Sequence, residues 1–323
     1  MAGKGEVHRN TQSLVARRDR LEVIIGAATW LVLLTPHVMY AQTSGDQAGS
    51  PVSLGARGGF TIDRTPGAAP ESTAEQGFAY TFAAGMASDY IYRGVTLSAH
   101  QPAVGAAFEA RFGSFYVGST ITSVKLPSEP AVELSFTGGF RASLSDLDFD
   151  LGATYFLYPG EVNGIDTDYF ELLGRVDRKL TDKVRVAAGF AYSPNVSNTG
   201  AWSKYAAAGI GIELPKLGLL PDLTTSFTTS AGYLWFGNQS AALGGFALPA
   251  YATWNAGVTF KRKQFNFDLR YYDTNLSREN CFVFGGDPGA RPGGRIDPVT
   301  NPEGLTSGWC SATVVGKLWF ALD

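Results

Sequence analysis

From Phe78 onward the chain alternates apolar and polar residues with a period of two, in about twelve stretches of roughly ten residues broken by Gly, Pro, Ser and Asp. Such alternation sends successive side chains to opposite faces of a strand. In one stretch Phe265, Phe267, Leu269 and Tyr271 interleave with Asn266, Asp268 and Arg270; in another Leu134, Phe136 and Phe140 interleave with Glu133, Thr137 and Arg141. A row of charges beside a row of aromatics on the same strand requires a different solvent on each face. A soluble sandwich would keep its inner rows apolar and its outer rows polar throughout. Here the polar rows are rich in Gly and Ala and the apolar rows end in Tyr and Trp, as a lipid-facing band with aromatic girdles does. The predicted fold is all-β: a transmembrane antiparallel up-and-down β-barrel of about twelve strands.

The links between stretches fit that fold. Short ones are expected at Gly113-Ser114, Ser145-Asp146, Thr181-Asp182 and Arg262-Lys263, with Pro215 to Asp222 in the same series. Longer ones fall at Leu97 to Gln101, Leu126 to Pro130, Gly160 to Thr167, Ser193 to Ala201, Gly237 to Leu248 and Thr274 to Ser307. Bacterial barrels alternate short periplasmic turns with long outer loops in this way, and an even number of strands returns both ends to the periplasmic side.

Upstream, Arg17, Arg18 and Arg20 precede an apolar run from Leu21 through Leu34, followed by Pro36 and by Ala41 before Gln42. A basic patch, an apolar core and a small residue read as a cleaved signal peptide over residues 1–41, in preference to a single membrane anchor. The Arg17-Arg18 pair is not read as a twin-arginine signal, because that route carries folded cargo and a barrel crosses the inner membrane unfolded. Residues 42–76, rich in Gly, Ala, Ser, Pro and Thr without periodicity, read as a disordered spacer, and 77–323 as the barrel. After Leu34 no apolar run approaches the roughly eighteen residues of a spanning helix, so membrane embedding must be through strands.

Glycine accounts for 39 of 323 residues, aromatics for 13%, charged residues for 17%, and the formal charge is -3. With no basic stripe among the aromatics, a nucleic-acid partner is excluded. The inward rows carry Glu109, Arg111, Glu133, Arg141, Asp148, Asp150, Glu171, Arg175, Asp177, Arg185, Asp268, Arg270 and Lys317 as candidate pore-lining residues. Either these acids and bases pair and fill the lumen, or they line a hydrated passage and set its selectivity. Inward Gly105, Gly139, Gly152, Gly189 and Gly257 leave space, which favours a narrow mixed-charge pore for small hydrophilic solutes or ions.

Cys281 and Cys310, the only cysteines, bracket the longest outer loop and are expected to form a structural disulfide that limits how far this loop folds over the mouth. Two thiols without a neighbouring His make no metal site. The run Gly285-Gly286-Asp287-Pro288-Gly289 lacks the Lys-Ser or Lys-Thr pair and helix of a phosphate cradle, so no cofactor is implied and a flexible loop is expected. His100, the one histidine after residue 41, stands near Ser98 and Asp89 and would carry a hydrolase reading; no third group to orient it is identifiable. A structural or adhesive barrel acting through its loops is the other alternative.

Several blocks resemble a known family. Ser88-Asp89-Tyr90-Ile91-Tyr92-Arg93-Gly94-Val95-Thr96-Leu97-Ser98 is similar to the opening signature of the TorF-type porin family, continued by Gln101-Pro102-Ala103-Val104. Gly113-Ser114-Phe115-Tyr116-Val117-Gly118, Leu157-Tyr158-Pro159-Gly160 and Tyr271-Tyr272-Asp273-Thr274-Asn275 with Cys281 and Cys310 resemble its later blocks, so the likeness spans residues 78 to 320. The resemblance implies a barrel in the outer membrane of Gram-negative bacteria, surrounded by outer-membrane lipids, with no defined substrate. Such barrels usually finish on an aromatic read by the barrel-assembly machinery; this chain finishes Ala321-Leu322-Asp323, with Phe320 the nearest aromatic.

Overall fold

The computed structural model describes residues 78–162, 164–216 and 222–322; the signal peptide and spacer expected at 1–41 and 42–76 lie outside the described residues. Twelve antiparallel strands close into a barrel. They are β1 (Phe78–Ala87), β2 (Ala103–Phe112), β3 (Phe115–Thr122), β4 (Glu133–Leu144), β5 (Leu147–Leu157), β6 (Tyr169–Lys179), β7 (Val184–Ser193), β8 (Ser203–Glu213), β9 (Leu223–Phe236), β10 (Tyr251–Arg262), β11 (Phe265–Thr274) and β12 (Thr313–Leu322). Each pairs with its neighbours in sequence, and β12 closes the ring against β1 with Leu318 opposite Met86, so no ladder edge is left open. Among the described residues no helix is long and apolar enough to cross a membrane.

The two faces follow the alternation. Phe78, Tyr80, Met86, Val117, Leu269 and Val314 point outward and are exposed, while Thr81, Glu109, Thr154, Glu171 and Asp268 point inward and are buried. This reverses the polarity of a water-soluble barrel, and each exposed apolar side chain gains about 1.5–3 kcal/mol by leaving water. Outward aromatics gather at both rims: Tyr155, Trp235, Trp254 and Tyr271 toward the long loops, and the contacting pairs Phe115–Phe140 and Phe265–Phe320 toward the short turns.

Three local expectations are corrected. The short link expected at Arg262-Lys263 lies one residue later, because Arg262 still pairs with Phe265 and the left-handed turn residue is Lys263 at φ 55°. The longer link expected from Leu126 begins three residues earlier, because the third strand ends at Thr122, and the Lys125 N–H donates to the Leu97 carbonyl, tying this segment to the β1–β2 loop. The glycine-rich loop after Cys281 is partly helical: α1 (Arg278–Gly285) is capped by the Ser277 side chain, which accepts from the Asn280 N–H, and ends on left-handed Gly286.

Candidate functional site

The β1–β2 loop does not lie over the mouth but enters it. Ile91–Tyr92 pairs with Val95–Thr96 across an Arg93-Gly94 turn whose φ values, 49° and 86°, are those of a type I′ hairpin. Asp89 organises its base: one carboxylate oxygen accepts from the Thr96 hydroxyl at 2.6 Å and lies 2.9 Å from that of Ser98, and the other lies 2.7 Å from His100 Nδ1. Ile91, Val95 and Thr96 are almost fully buried. A side chain on Gly94 would collide with Thr274 and Thr253 of β11 and β10, two and three strands round the ring from β1, so the tip is packed against the inner wall.

At the tip, Arg93 makes a two-pronged ion pair with Glu171 of β6, Nη1 and Nη2 donating to the two carboxylate oxygens at 2.8 and 2.7 Å. Tyr92 donates to the same carboxylate at 3.1 Å, and the Arg93 guanidinium lies over the rings of Tyr92 and Tyr205 at 4.7 and 4.5 Å. The Tyr251 hydroxyl donates to the Arg93 carbonyl. Side-chain exposure is 3% for Arg93 and 1% for Glu171, so the pair is dry. Burial opposes the Arg93 charge, and the facing Glu171 outweighs it, holding that guanidinium above its ordinary value. A second wall carboxylate, Glu133, accepts from Tyr90 of the hairpin at 2.6 Å and from Tyr158 at 2.8 Å. Burial first, then the Glu133 charge, pushes the Tyr158 phenol well above its usual range, which keeps it a donor.

The β11–β12 loop completes the closure. The Cys281–Cys310 disulfide is present, and both cysteines sit in a buried cluster with Val95, Tyr205, Leu234, Tyr251 and Trp309. The Thr96 N–H donates to the Trp309 carbonyl, and His100 Nε2 lies 3.1 Å from the Gly308 carbonyl. The disulfide is structural, as expected, but it anchors this loop inside the mouth rather than limiting how far it folds over it; the apolar sulfur bridge and Trp309 are stabler packed on Val95 than in water.

Below the hairpin the inward charges are largely engaged with one another. Arg141 donates to both oxygens of Glu109 at 2.7 and 3.0 Å and to Asp150 at 2.9 Å, and it stacks 3.7 Å above the Tyr116 ring, whose hydroxyl also bonds Asp150. Arg175 pairs with Asp177, Arg185 lies 4.0 Å from Asp148, and Arg270 joins Asp268, Asn255 and Thr228. Lys317 stands opposite Asp268 in register and over the Trp319 ring, while Arg111 stands opposite Tyr116. Of the inward glycines, Gly189 keeps space beside it, a Cβ there meeting only the Gly174 carbonyl at 3.6 Å among the described residues, but three others do not: a Cβ at Gly139 or Gly152 would strike the Tyr116 phenol, and one at Gly257 would strike Arg270. They mark places where a neighbour's long side chain lies flat against the wall.

Of the candidate lining residues, Glu133 and Glu171 accept bonds from the hairpin, Lys317 stands opposite Ala87 at its foot, and the remaining ones lie further along the strands toward the short turns. Tyr90, Tyr92 and Arg93 were not singled out as site residues from the sequence, although an X-Gly pair between short β-branched and aromatic runs is a hairpin signal. His100 has one ring nitrogen on Asp89 and the other on a backbone carbonyl, while the Ser98 hydroxyl faces Asp89 and the Gln101 carbonyl, so no nucleophile–base pair is assembled there. Among the described residues, Glu161, Asp166 and Asp168 are the one acidic group close enough to share a metal ion, and Glu161 and Asp168 already accept bonds from Thr167 and from the Tyr158 N–H.

A sequence profile described as "Bacterial protein of unknown function (Gcw_chp)" matches residues 71–287; that description includes neither a TorF-type nor a porin name. No curated protein matches the chain. Among solved structures, the KdgM porin is similar over 76% of this chain and 99% of its own at 9% identity, with a TM-score of 0.41. The NanC porin is similar over 76% and 100% at 8% identity and 0.43, and LpxR from Salmonella typhimurium over 74% and 99% at 9% identity and 0.35.

Proposed function

The chain belongs to the Gcw_chp family of bacterial proteins, and from the geometry of its lumen we propose that it is an outer-membrane channel of the TorF-type porin kind, passing small hydrophilic solutes and resting with its outer mouth closed. The observation that carries this is a closed barrel, apolar outside and charged inside, whose mouth is filled by a hairpin with a buried ion pair at its tip. In this reading residues 1–41 export the chain, 42–76 form a spacer, the barrel-assembly machinery inserts the barrel, and outer-membrane lipids cover its apolar band. The short turns face the periplasm. The inward charges from Glu109 to Lys317 line the passage, and mutually paired groups such as Glu109, Arg141 and Asp150 narrow it. Opening needs the hairpin to leave Glu171, a movement of a loop against a rigid wall.

The filled mouth also favours a second reading, a structural or adhesive barrel whose loops act while nothing passes. Liposome swelling separates the two. Glu171→Gln protein should admit small sugars several-fold faster than the unmodified chain, with a size cut-off. If neither protein admits any sugar while both show the heat-modifiable migration of a folded barrel, the channel is refuted and the structural reading stands.

A further inference from the structure

Arg93 occupies its site as a ligand would. It comes from a loop, whereas its main partners come from the barrel wall: Glu171 from β6, Tyr205 from β8 and Tyr251 from β10. Strand register fixes the backbone of those wall groups through pairings that do not involve the hairpin. They present a carboxylate with both oxygens aimed at one point beside an aromatic face, which is the chemistry that selects a planar guanidinium or a primary ammonium. We propose that this cradle is the channel's own solute site, specific for cationic guanidinium- or amine-bearing solutes, and that Arg93 is a tethered occupant which such a solute displaces to open the mouth.

Three observations support it. Withdrawal of the hairpin removes the Arg93 charge from Glu171 and the Tyr90 hydroxyl from Glu133, leaving two wall carboxylates at the same end of the lumen. Among the described residues, the strand positions around the hairpin tip supply Thr, Ser, Tyr and apolar side chains beside the two carboxylates; the inward Lys317, opposite Ala87 at the hairpin's foot, lies over the Trp319 ring and stands opposite Asp268, and the Lys204 ammonium lies over the exposed Trp202 ring. The nearest inward cation on β6, Arg175, is engaged by Asp177 through two hydrogen bonds. The mouth therefore becomes acidic as it opens, and a cation is the solute that compensates it. The fit of Arg93 is also incomplete: its Nε is buried with no hydrogen-bond partner among the described residues, so the tether holds the site without saturating it. A free ligand that leaves no such donor stranded competes on favourable terms.

The inference rests on the channel reading for passage but not for binding, so two measurements on the full-length protein separate them. In planar bilayers under a potassium chloride gradient, Arg93→Ala and Glu171→Gln both loosen the hairpin and raise its open population, but only Arg93→Ala keeps the carboxylate. Its reversal potential should report potassium over chloride by about fivefold or more, against near-equal permeation in Glu171→Gln. Methylguanidinium at millimolar concentration should raise the open probability of the unmodified channel several-fold, while sodium at the same ionic strength should not. Independently, calorimetric titration of detergent-solubilised Arg93→Ala with methylguanidinium should show one site, weakened at least tenfold in Arg93→Ala/Glu171→Gln. Equal ion preference in the two open variants, or binding unaffected by Glu171→Gln, overturns the cation site and leaves the channel standing. Folded variants that are all silent in bilayers but bind through Glu171 overturn the channel and leave the site.

Discussion

Replacing Glu171 by Gln keeps the side-chain volume and removes the charge, so it isolates the ion pair from packing. The pair is dry, and deleting one partner of such a pair costs about 3–5 kcal/mol because the other charge stays buried and uncompensated. Against this, docking of the hairpin also buries Ile91, Val95 and Tyr90, worth about 1.5–3 kcal/mol each. The hairpin in Glu171→Gln should thus remain mostly docked but open far more often: at about 1.4 kcal/mol per tenfold, by two to three and a half orders of magnitude. The Arg93-Gly94 bond is a trypsin site hidden at the hairpin tip, and cleavage of a rapidly reclosing segment tracks its open population. Trypsin should therefore cut Glu171→Gln at this bond about a hundredfold faster or more, while the barrel keeps its heat-modifiable migration. A rate within about threefold of the unmodified protein would refute the claim that the ion pair holds the hairpin.

Other consequences are open to measurement. The hydrogen bond to Asp89 raises the His100 pKa above its ordinary value, and the Gly308 carbonyl adds to this, so the imidazolium linking the two loops contributes in full below the ordinary value and is lost as pH rises through the elevated one. Trypsin sensitivity at Arg93 should accordingly increase from pH 5 to pH 9, with Asp287 adding to the field, and His100→Ala should flatten that profile; an unchanged profile would refute the link. Opening the Cys281–Cys310 bridge, with its separation of 29 residues, should cost the docked β11–β12 loop about 3–4 kcal/mol and shows as faster hydrogen exchange over residues 275–312 in Cys281→Ser/Cys310→Ser; unaltered exchange would contradict it. Gly139→Val should force the Tyr116 phenol off the wall and destabilise the barrel by about 1–3 kcal/mol, read as a lower temperature of heat-modified migration; a neutral effect would show that Tyr116 repacks freely.

The barrel was legible in the sequence because each strand touches two solvents, so that Asp268 and Arg270 had to alternate with Phe267 and Leu269 whatever else the chain did. The disulfide was legible because no other cysteine competes for the pair. The hairpin was not, because its partners are remote: Glu171 lies 78 residues from Arg93 and Tyr251 lies 158, and a two-residue pairing of Ile91–Tyr92 with Val95–Thr96 is too short to show a period. The inward glycines were legible as missing side chains, but whether the space stays empty depends on the direction in which Tyr116 and Arg270 lie, which no local pattern encodes. Glu133 and Glu171 looked like the other inward acids for the same reason. Only the loop that covers them makes them different.

The most direct test of the account is the single-channel record of the full-length protein beside Glu171→Gln in symmetric potassium chloride. The account predicts rare, brief openings for the first and frequent discrete steps for the second, since the barrel fold is unchanged and its stopper is loosened. A folded Glu171→Gln barrel that stays electrically silent would contradict it.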